Sequence, residues 1–94
     1  MPEICRFQGI IIRMFWETGS QHHVPHLHAS YQGQVSSYRI DTGDPLTRAL
    51  PKRQHRLLVA WIELHRNELH RNELQENWQH AANQEPLNKI PPLH

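Results

Sequence analysis

The chain has 94 residues, of which 37% are hydrophobic, and it carries a formal net charge of +1. Its length excludes a second domain, since a chain of this size buries only somewhat more than about 60% of its unfolded surface on folding. The near-neutral charge excludes strong non-specific attraction to nucleic acid, and the mean hydropathy of -0.74 predicts a small core of modest stability.

The N-terminal segment and the single cysteine indicate the compartment. The sequence begins MPEICRFQ, which lacks the basic and then apolar pattern of a secretory signal, and Cys5 has no second cysteine with which to form a disulfide. The longest apolar run, GIIIRMFW, is interrupted by Arg13 and is far shorter than the roughly 20 residues of a membrane span. These features predict a cytoplasmic protein that does not enter the membrane.

Four segments in the first half of the chain predict β-strands. Residues 9–17 (GIIIRMFWE) are rich in β-branched and aromatic side chains and predict the first, buried strand. Residues 26–32 (HLHASYQ) alternate in polarity, Gly33 marks a tight turn into residues 35–40, and the turn DTGDP precedes the short segment 46–50 (LTRAL). Because these connections are too short for crossover helices, we expect an antiparallel meander of three or four strands.

A cluster of histidines, HHVPHLHAS, leads into the second of these strands. Alternation puts Leu27 and Ala29 on one face of the sheet and His26 and His28 on the other. The two histidine Cα atoms are then about 6.6 Å apart, at about 3.3 Å per residue. Both imidazoles can therefore reach one shared ligand or substrate.

Three interpretations of these histidines remain open. In the first, they are polar residues on the solvated face of a strand. In the second, His26 and His28 bind zinc, and His22, His23 or a residue from elsewhere completes the ligand set. In the third, His26 and His28 are catalytic and act as acid and base in the metal-free cleavage of RNA. We expect no metal and no cofactor, and zinc with His22, His26 and His28 as candidate ligands is the alternative.

Cleavage of RNA also requires a cation beside the phosphate. Arg13 and Arg39 are candidates, and so is a basic group at the start of the predicted helix. This group lies within nine residues that contain no acid, and it predicts a binding surface for a partner or for RNA. It consists of Arg48, Lys52, Arg53 and Arg56.

From Pro51 the apolar residues follow a helical period, and proline suits the first position of a helix because it has no amide hydrogen to leave unpaired. The predicted helix covers residues 51–83 and contains a tandem repeat of LHRNE, at 64–68 and 69–73. Five added residues rotate the downstream half by about 140°, so that two apolar stripes face different directions. The first stripe comprises Leu57, Leu58, Trp61, Ile62 and Leu64, and the second comprises Leu74, Trp78, Ala81 and Ala82.

An unbroken helix over these residues would be about 48 Å long, against a radius of gyration of roughly 12 Å for a domain of this size. Three outcomes are open: the helix breaks near Asn67 or Asn72, its distal half projects and buries Trp78 against another chain, or it curves and leaves Trp78 exposed. We expect a broken helix, with Trp78 as a candidate binding residue. His65 and His70, at equivalent positions of the repeat, are expected on a solvated face.

The predicted fold is a single α+β domain over residues 1–94. It consists of a β-meander over 1–50, a helical segment over 51–83 and an extended tail over 84–94. The tail contains three prolines, which prevent it from continuing the helix.

Several motifs together resemble a known family. The stretches MPEICRFQGIIIRMF, PHLHASYQG, IDTGDPL, LPKR and ENWQHAANQEPLNKIPPL run in the order of the bacterial domain of unknown function 4160 and cover nearly the whole chain. The most specific parts are MPEI, P-H-x-H-A and L-P-K-R. On this chain the motif positions of the last two are Pro25, His26, His28, Ala29, Leu50, Pro51, Lys52 and Arg53.

The resemblance implies a role but assigns no catalytic residues. Such proteins look like one half of two-gene modules whose neighbour is a small protein of the family numbered 2442, and they have been proposed as the toxin of a toxin–antitoxin pair. For this chain the resemblance implies binding to a small partner protein encoded nearby and an action on RNA or translation. The alternative is a non-enzymatic, metal-binding regulatory module that uses the His-x-His strand. This chain departs from the pattern at Ser30, where an acidic residue is common, and in the additional LHRNE.

Overall fold

A four-stranded antiparallel sheet followed by two helices forms the fold, so the predicted α+β class and meander are confirmed. The computed structural model describes residues 3–15, 24–66 and 73–93. The strands are adjacent in the sheet in their sequence order. They are β1 (Glu3–Phe7), β2 (Ile10–Arg13), β3 (His26–Tyr31) and β4 (Gln34–Arg39).

The prediction was wrong about the first and last strands. Residues 9–17 were expected to form the first strand, but Gly9 lies in a turn and the strand before it, β1, was missed. Residues 46–50 form no strand, and a single bridge between Tyr38 and Pro45 extends the sheet there. β1 has no clear alternation because a bulge lies between Glu3 and Cys5, and a short irregular edge strand leaves a weak sequence signal.

Gln-Gly turns join β1 to β2 and β3 to β4. Gln8 and Gly9 have φ angles of 50° and 78°, and Gln32 and Gly33 have φ angles of 48° and 85°. Positive φ at both central residues is characteristic of the two-residue hairpin turn whose twist matches that of the sheet. A side chain at Gly9 would also crowd the Tyr31 ring, since its Cβ would lie 3.1 Å from Cε1.

Helix α1 (Lys52–Arg66) covers one face of the sheet, which we call the inner face. It begins where the sequence predicts, with the Pro51 carbonyl accepting the amide hydrogen of His55 at 2.8 Å. The rings of Phe7 and Trp61 are stacked with their centroids 6.2 Å apart. The core between α1 and the sheet includes Phe7, Ile10, Ile12, Leu27, Ala29, Tyr38, Leu58, Trp61 and Ile62.

Helix α2 (Glu73–Ala82) and the residues after it close one end of the sheet. The Asn77 side chain donates to the Asn88 carbonyl and accepts from the Asn88 amide, both at 2.9 Å. Further along, the Ile90 amide donates to the Ile4 carbonyl of β1, and the Trp61 indole donates to the Pro91 carbonyl. The residues after α2 therefore return to the edge strand β1 and to α1.

The helical segment is divided into two helices, as the broken-helix alternative predicts. The proposed break points Asn67 and Asn72, and also His70, lie outside the described residues. Trp78 is only 7% exposed and packs within the chain, so the expectations of an exposed or projecting Trp78 were wrong for this structure.

His65 does not lie on a solvated face, in contrast to the prediction. It is 5% exposed, its Nδ1 lies 2.9 Å from Glu73 Oε1 at the start of α2, and its ring packs on Trp61. The repeat thus supplies Glu73 as a partner for a histidine of the preceding helix. Leu64, expected in the apolar core stripe, is 42% exposed.

Neither helix has the combination of length and apolar character that crossing a bilayer requires, as far as the described residues are concerned.

The hydroxyl of Tyr38 joins the sheet to the start of α1. This residue is fully buried, and burial raises its pKa. Its oxygen accepts the amide hydrogen of Leu50 at 3.1 Å and lies 2.8 Å from Nδ1 of His55, to which it can donate. One hydroxyl therefore satisfies a polar group on each side of the turn into α1.

We predict that Tyr38→Phe lowers the free energy of unfolding by about 1–3 kcal/mol, because it leaves a buried amide without a partner. Urea denaturation followed by tryptophan fluorescence measures the change. Tyr31→Phe is the control, since that residue is partly exposed and water can replace a lost bond. Equal effects of the two substitutions would contradict this role for Tyr38.

Candidate binding site on the outer face of the sheet

A cavity of about 460 Å³ lies on the face of the sheet that points away from α1, the outer face. The strands place its side chains by simple alternation, since their neighbours Ile12, Leu27 and Ala29 fill the core. The described residues that line the cavity are Arg13, Phe15, His28, Ser30 and Val35.

Arg13 and His28 are direct cross-strand partners in the cavity. They face each other in the register of β2 and β3, and side chains at such positions lie about 4.5–5.5 Å apart at Cβ. Arg13 Nη1 also donates weakly to Ser30 Oγ, at 3.4 Å. The sheet thus fixes a guanidinium, an imidazole and a hydroxyl in one small area.

An aromatic stack forms one wall of the cavity. The rings of Phe15 and His28 are nearly parallel, with an interplanar angle of 8° and centroids 4.4 Å apart. Val35, across from Ser30 in β4, is 63% exposed. The wall therefore combines a planar stack with an exposed apolar side chain.

His26 is buried, which corrects the expectation that both histidines lie on a solvated surface. It is 1% exposed, its ring packs on Trp78 with centroids 5.2 Å apart, and its Nδ1 lies 2.8 Å from the Val24 carbonyl. A carbonyl can only accept, so Nδ1 of His26 carries the hydrogen. The sequence cannot show this burial because the covering residue lies 52 positions away, in α2.

The rings of His26 and His28 contact each other edge to face, with their centroids 5.2 Å apart. Within the described residues, however, no group of three His, Cys, Asp or Glu side chains could hold a metal ion. His22 and His23, the two named candidates for a further ligand, lie outside those residues. The zinc interpretation accordingly stays a prediction.

Arg13 is the candidate cation that the structure brings to His28. Arg39 instead donates to both carboxylate oxygens of Asp41, at 2.8 and 2.7 Å, and these hydrogen bonds lower the pKa of Asp41. Arg13 faces Glu3 across β1 and β2, and the pKa of Glu3 is lowered mainly by its hydrogen bond from Arg6 and to a lesser extent by the charge of Arg13. Within the described segments, however, no carboxylate lies within ion-pair distance of Arg13. Ser30 contributes to this difference, because an acid at that position would lie close enough to neutralise Arg13.

The basic group at the start of α1 lies away from the histidines. Lys52, Arg53 and Arg56 are exposed, whereas the buried side chains of α1 face the inner side of the sheet. Since His28 projects from the outer side, the two groups occupy opposite sides of a two-layer structure. Of the predicted binding residues, only Trp78 contacts the histidine pair.

The cavity is suited to an anionic group attached to a flat ring. The guanidinium of Arg13 can bind a phosphate or carboxylate bidentately, and the Phe15–His28 stack presents a planar surface. His28 is the only imidazole among the described lining residues. Phe15 and Val35 were not predicted as site residues, although the alternation that places His28 on the outer face also places Val35 there through strand pairing.

The antiparallel sheet followed by two helices defines this chain as a small α+β protein. The model of one family, described as a domain of unknown function (DUF4160), matches residues 9–79. The chain belongs to this family, and the resemblance found in its motifs is confirmed. No curated protein and no solved structure matches the chain.

The contrast between the two histidines leads to a stability prediction. We expect His26→Ala to lower the free energy of unfolding by about 2–4 kcal/mol, since it removes a buried ring and the partner of a carbonyl. His28→Ala should cost about 1 kcal/mol, because that ring is partly exposed.

Urea denaturation of both variants beside the wild type measures this difference. Equal losses, or a larger loss for His28→Ala, would show that His26 is not the structural member of the pair.

Proposed function

We propose that this protein is the toxin-type member of a two-protein module, that it acts in the cytoplasm on single-stranded RNA through the outer-face cavity, and that a small partner protein binds it. The observation that carries the RNA part is the pairing of Arg13 with His28 beside an aromatic stack. The family resemblance supports the partner.

Single-stranded RNA combines the two features that the cavity suits. Its phosphates are singly charged groups for a guanidinium, and its unstacked bases pack on aromatic side chains or on arginine. Such contacts contribute about 1–3 kcal/mol for each stacked base. The net charge of +1 favours this localised binding over non-specific attraction to duplexes.

The geometry leaves one of the two histidines as a candidate for contact with RNA. Cleavage by two imidazoles requires both to reach the substrate, and the buried ring of His26 packs against Trp78. His28 is therefore the residue of the pair that can contact RNA and move a proton, with Arg13 stabilising charge on the phosphate. His26 positions the ring of His28.

The test is growth of a bacterial host when the protein is induced. We expect the wild type to arrest growth, and His28→Ala and Arg13→Gln to relieve the arrest at equal expression. Both variants change partly exposed positions, so circular dichroism should show a native fold. His26→Ala is unsuitable here because its loss of stability would mimic a loss of function.

Arg53→Gln is the matched control, since it also removes one arginine charge but on the opposite side of the molecule. It should arrest growth as the wild type does. A wild type that leaves growth unchanged would contradict the toxin-type role. Relief by Arg53→Gln but not by Arg13→Gln would contradict the assignment of the cavity.

A further inference from the structure

The exposed side of α1 carries a second apolar surface beside the core, and Leu57 at its edge also packs against the core. A cavity of about 450 Å³ lies on this side. Leu57 and Ala60 form its apolar floor, and three cations surround them: Lys52, Arg53 and Arg56.

This floor continues along the helix as a stripe. Leu57, Ala60 and Leu64 follow one another at spacings of three and four residues, which places them on one side of the helix. Ala60 is exposed, and Leu64 is 42% exposed. We call these three residues the outer stripe of α1. The stripe joins the cavity beside Lys52, Arg53 and Arg56 to the exposed Leu64 and so offers a continuous apolar row to a partner.

The charge at the amino end of the outer stripe is positive, whereas the exposed Glu63 lies near its other end. The first turn of α1 contains no acid, and the ion pairs found in the described residues involve none of the three cations. The amino end of a helix adds a partial positive charge. A partner that covers the stripe must therefore bring negative charge to the same end.

We propose that the outer stripe of α1 binds an acidic amphipathic segment of the partner protein, a helix whose apolar side chains cover Leu57, Ala60 and Leu64 and whose carboxylates face Arg53 and Arg56. This inference rests on the proposed function for the existence of a partner, and it adds where the partner binds and what its surface contains. Apolar residues spaced by three and four are the usual anchors in such helix recognition.

The chemistry of the surface favours a protein over the other occupants. Leucine and alanine offer no aromatic plane on which a base could stack, unlike the outer-face cavity. A symmetric pairing of two copies through this stripe would bring two sets of cations together, which costs energy. An acidic amphipathic helix fits this surface, because its apolar side chains cover Leu57 and Ala60 and its carboxylates face the cations beside them.

The location has a mechanistic consequence. The outer stripe and the Arg13–His28 cavity lie on opposite sides of the molecule, so a segment bound at α1 does not cover the cavity. The partner would then recognise the protein at a surface separate from the one that acts on RNA.

The experiment is an NMR titration of the ¹⁵N-labelled full chain with two helical peptides. One carries leucines spaced by three and four with glutamates beside them, and its twin replaces every glutamate by lysine. We expect the acidic peptide to shift the amide signals of α1 around Leu57 and Ala60, and the basic twin to shift none. Arg53→Glu and Ala60→Glu should each weaken binding by about tenfold or more.

Arg6→Glu is the charge-matched control, since Arg6 is exposed on the edge strand β1 and does not belong to the outer stripe or its cations, and it should bind the acidic peptide as the wild type does. The proposal is overturned if neither peptide binds, if both bind alike, or if Arg6→Glu weakens binding as much as Arg53→Glu. It is also overturned if an oligoribonucleotide, but not the acidic peptide, shifts these signals, or if the chain dimerises and Ala60→Glu makes it monomeric. The expected result of the titration involves neither RNA nor growth. A failed titration would therefore overturn this binding surface without contradicting the toxin-type role.

Discussion

Each residue of β3 must face one of two sides of the sheet, and α1 covers only one of them. Leu27 and Ala29 enter the core beneath Leu58 and Trp61, so His28 and Ser30 are left on the side without that helix. The period of two along a strand does not allow a different division, since a shift by one residue would exchange every side chain between the faces. The core and the candidate site are consequently two sides of the same strand.

The second helix modifies this division at one end of the sheet. Trp78 of α2 packs on His26, which is buried, whereas His28 is partly exposed, so two histidines with the same orientation have different environments. One stabilises the structure and the other lines the cavity beside Arg13. The tandem repeat contributes here, because Glu73 from its second copy lies 2.9 Å from His65 at the junction of the two helices. The described part of the helical segment therefore forms two contacting helices rather than one long rod.

The sequence predicts the parts of the fold that depend on local patterns. The Gln-Gly turn at Gly33, the alternation of β3 and the start of α1 after Pro51 are all confirmed, because turn chemistry and periodicity are local properties. The burial of His26 and His65 and the exposure of Leu64 could not be predicted, since each depends on how α1 and α2 pack. The pairing of Arg13 with His28 is only partly predictable. Alternation gives the face of the sheet on which each side chain lies. The register between β2 and β3 is not predictable, because no tight turn joins these two strands.

The central claim is that single-stranded RNA binds on the outer face of the sheet and not on the basic start of α1. Photochemical crosslinking of a labelled oligoribonucleotide to the full chain, with mass spectrometry of the crosslinked peptides, tests it directly. Our account predicts crosslinks at Phe15 and in the peptide that contains His28, and their loss in Arg13→Gln. Crosslinks confined to the peptide around Arg53 and Arg56, or crosslinks unaffected by Arg13→Gln, would contradict it.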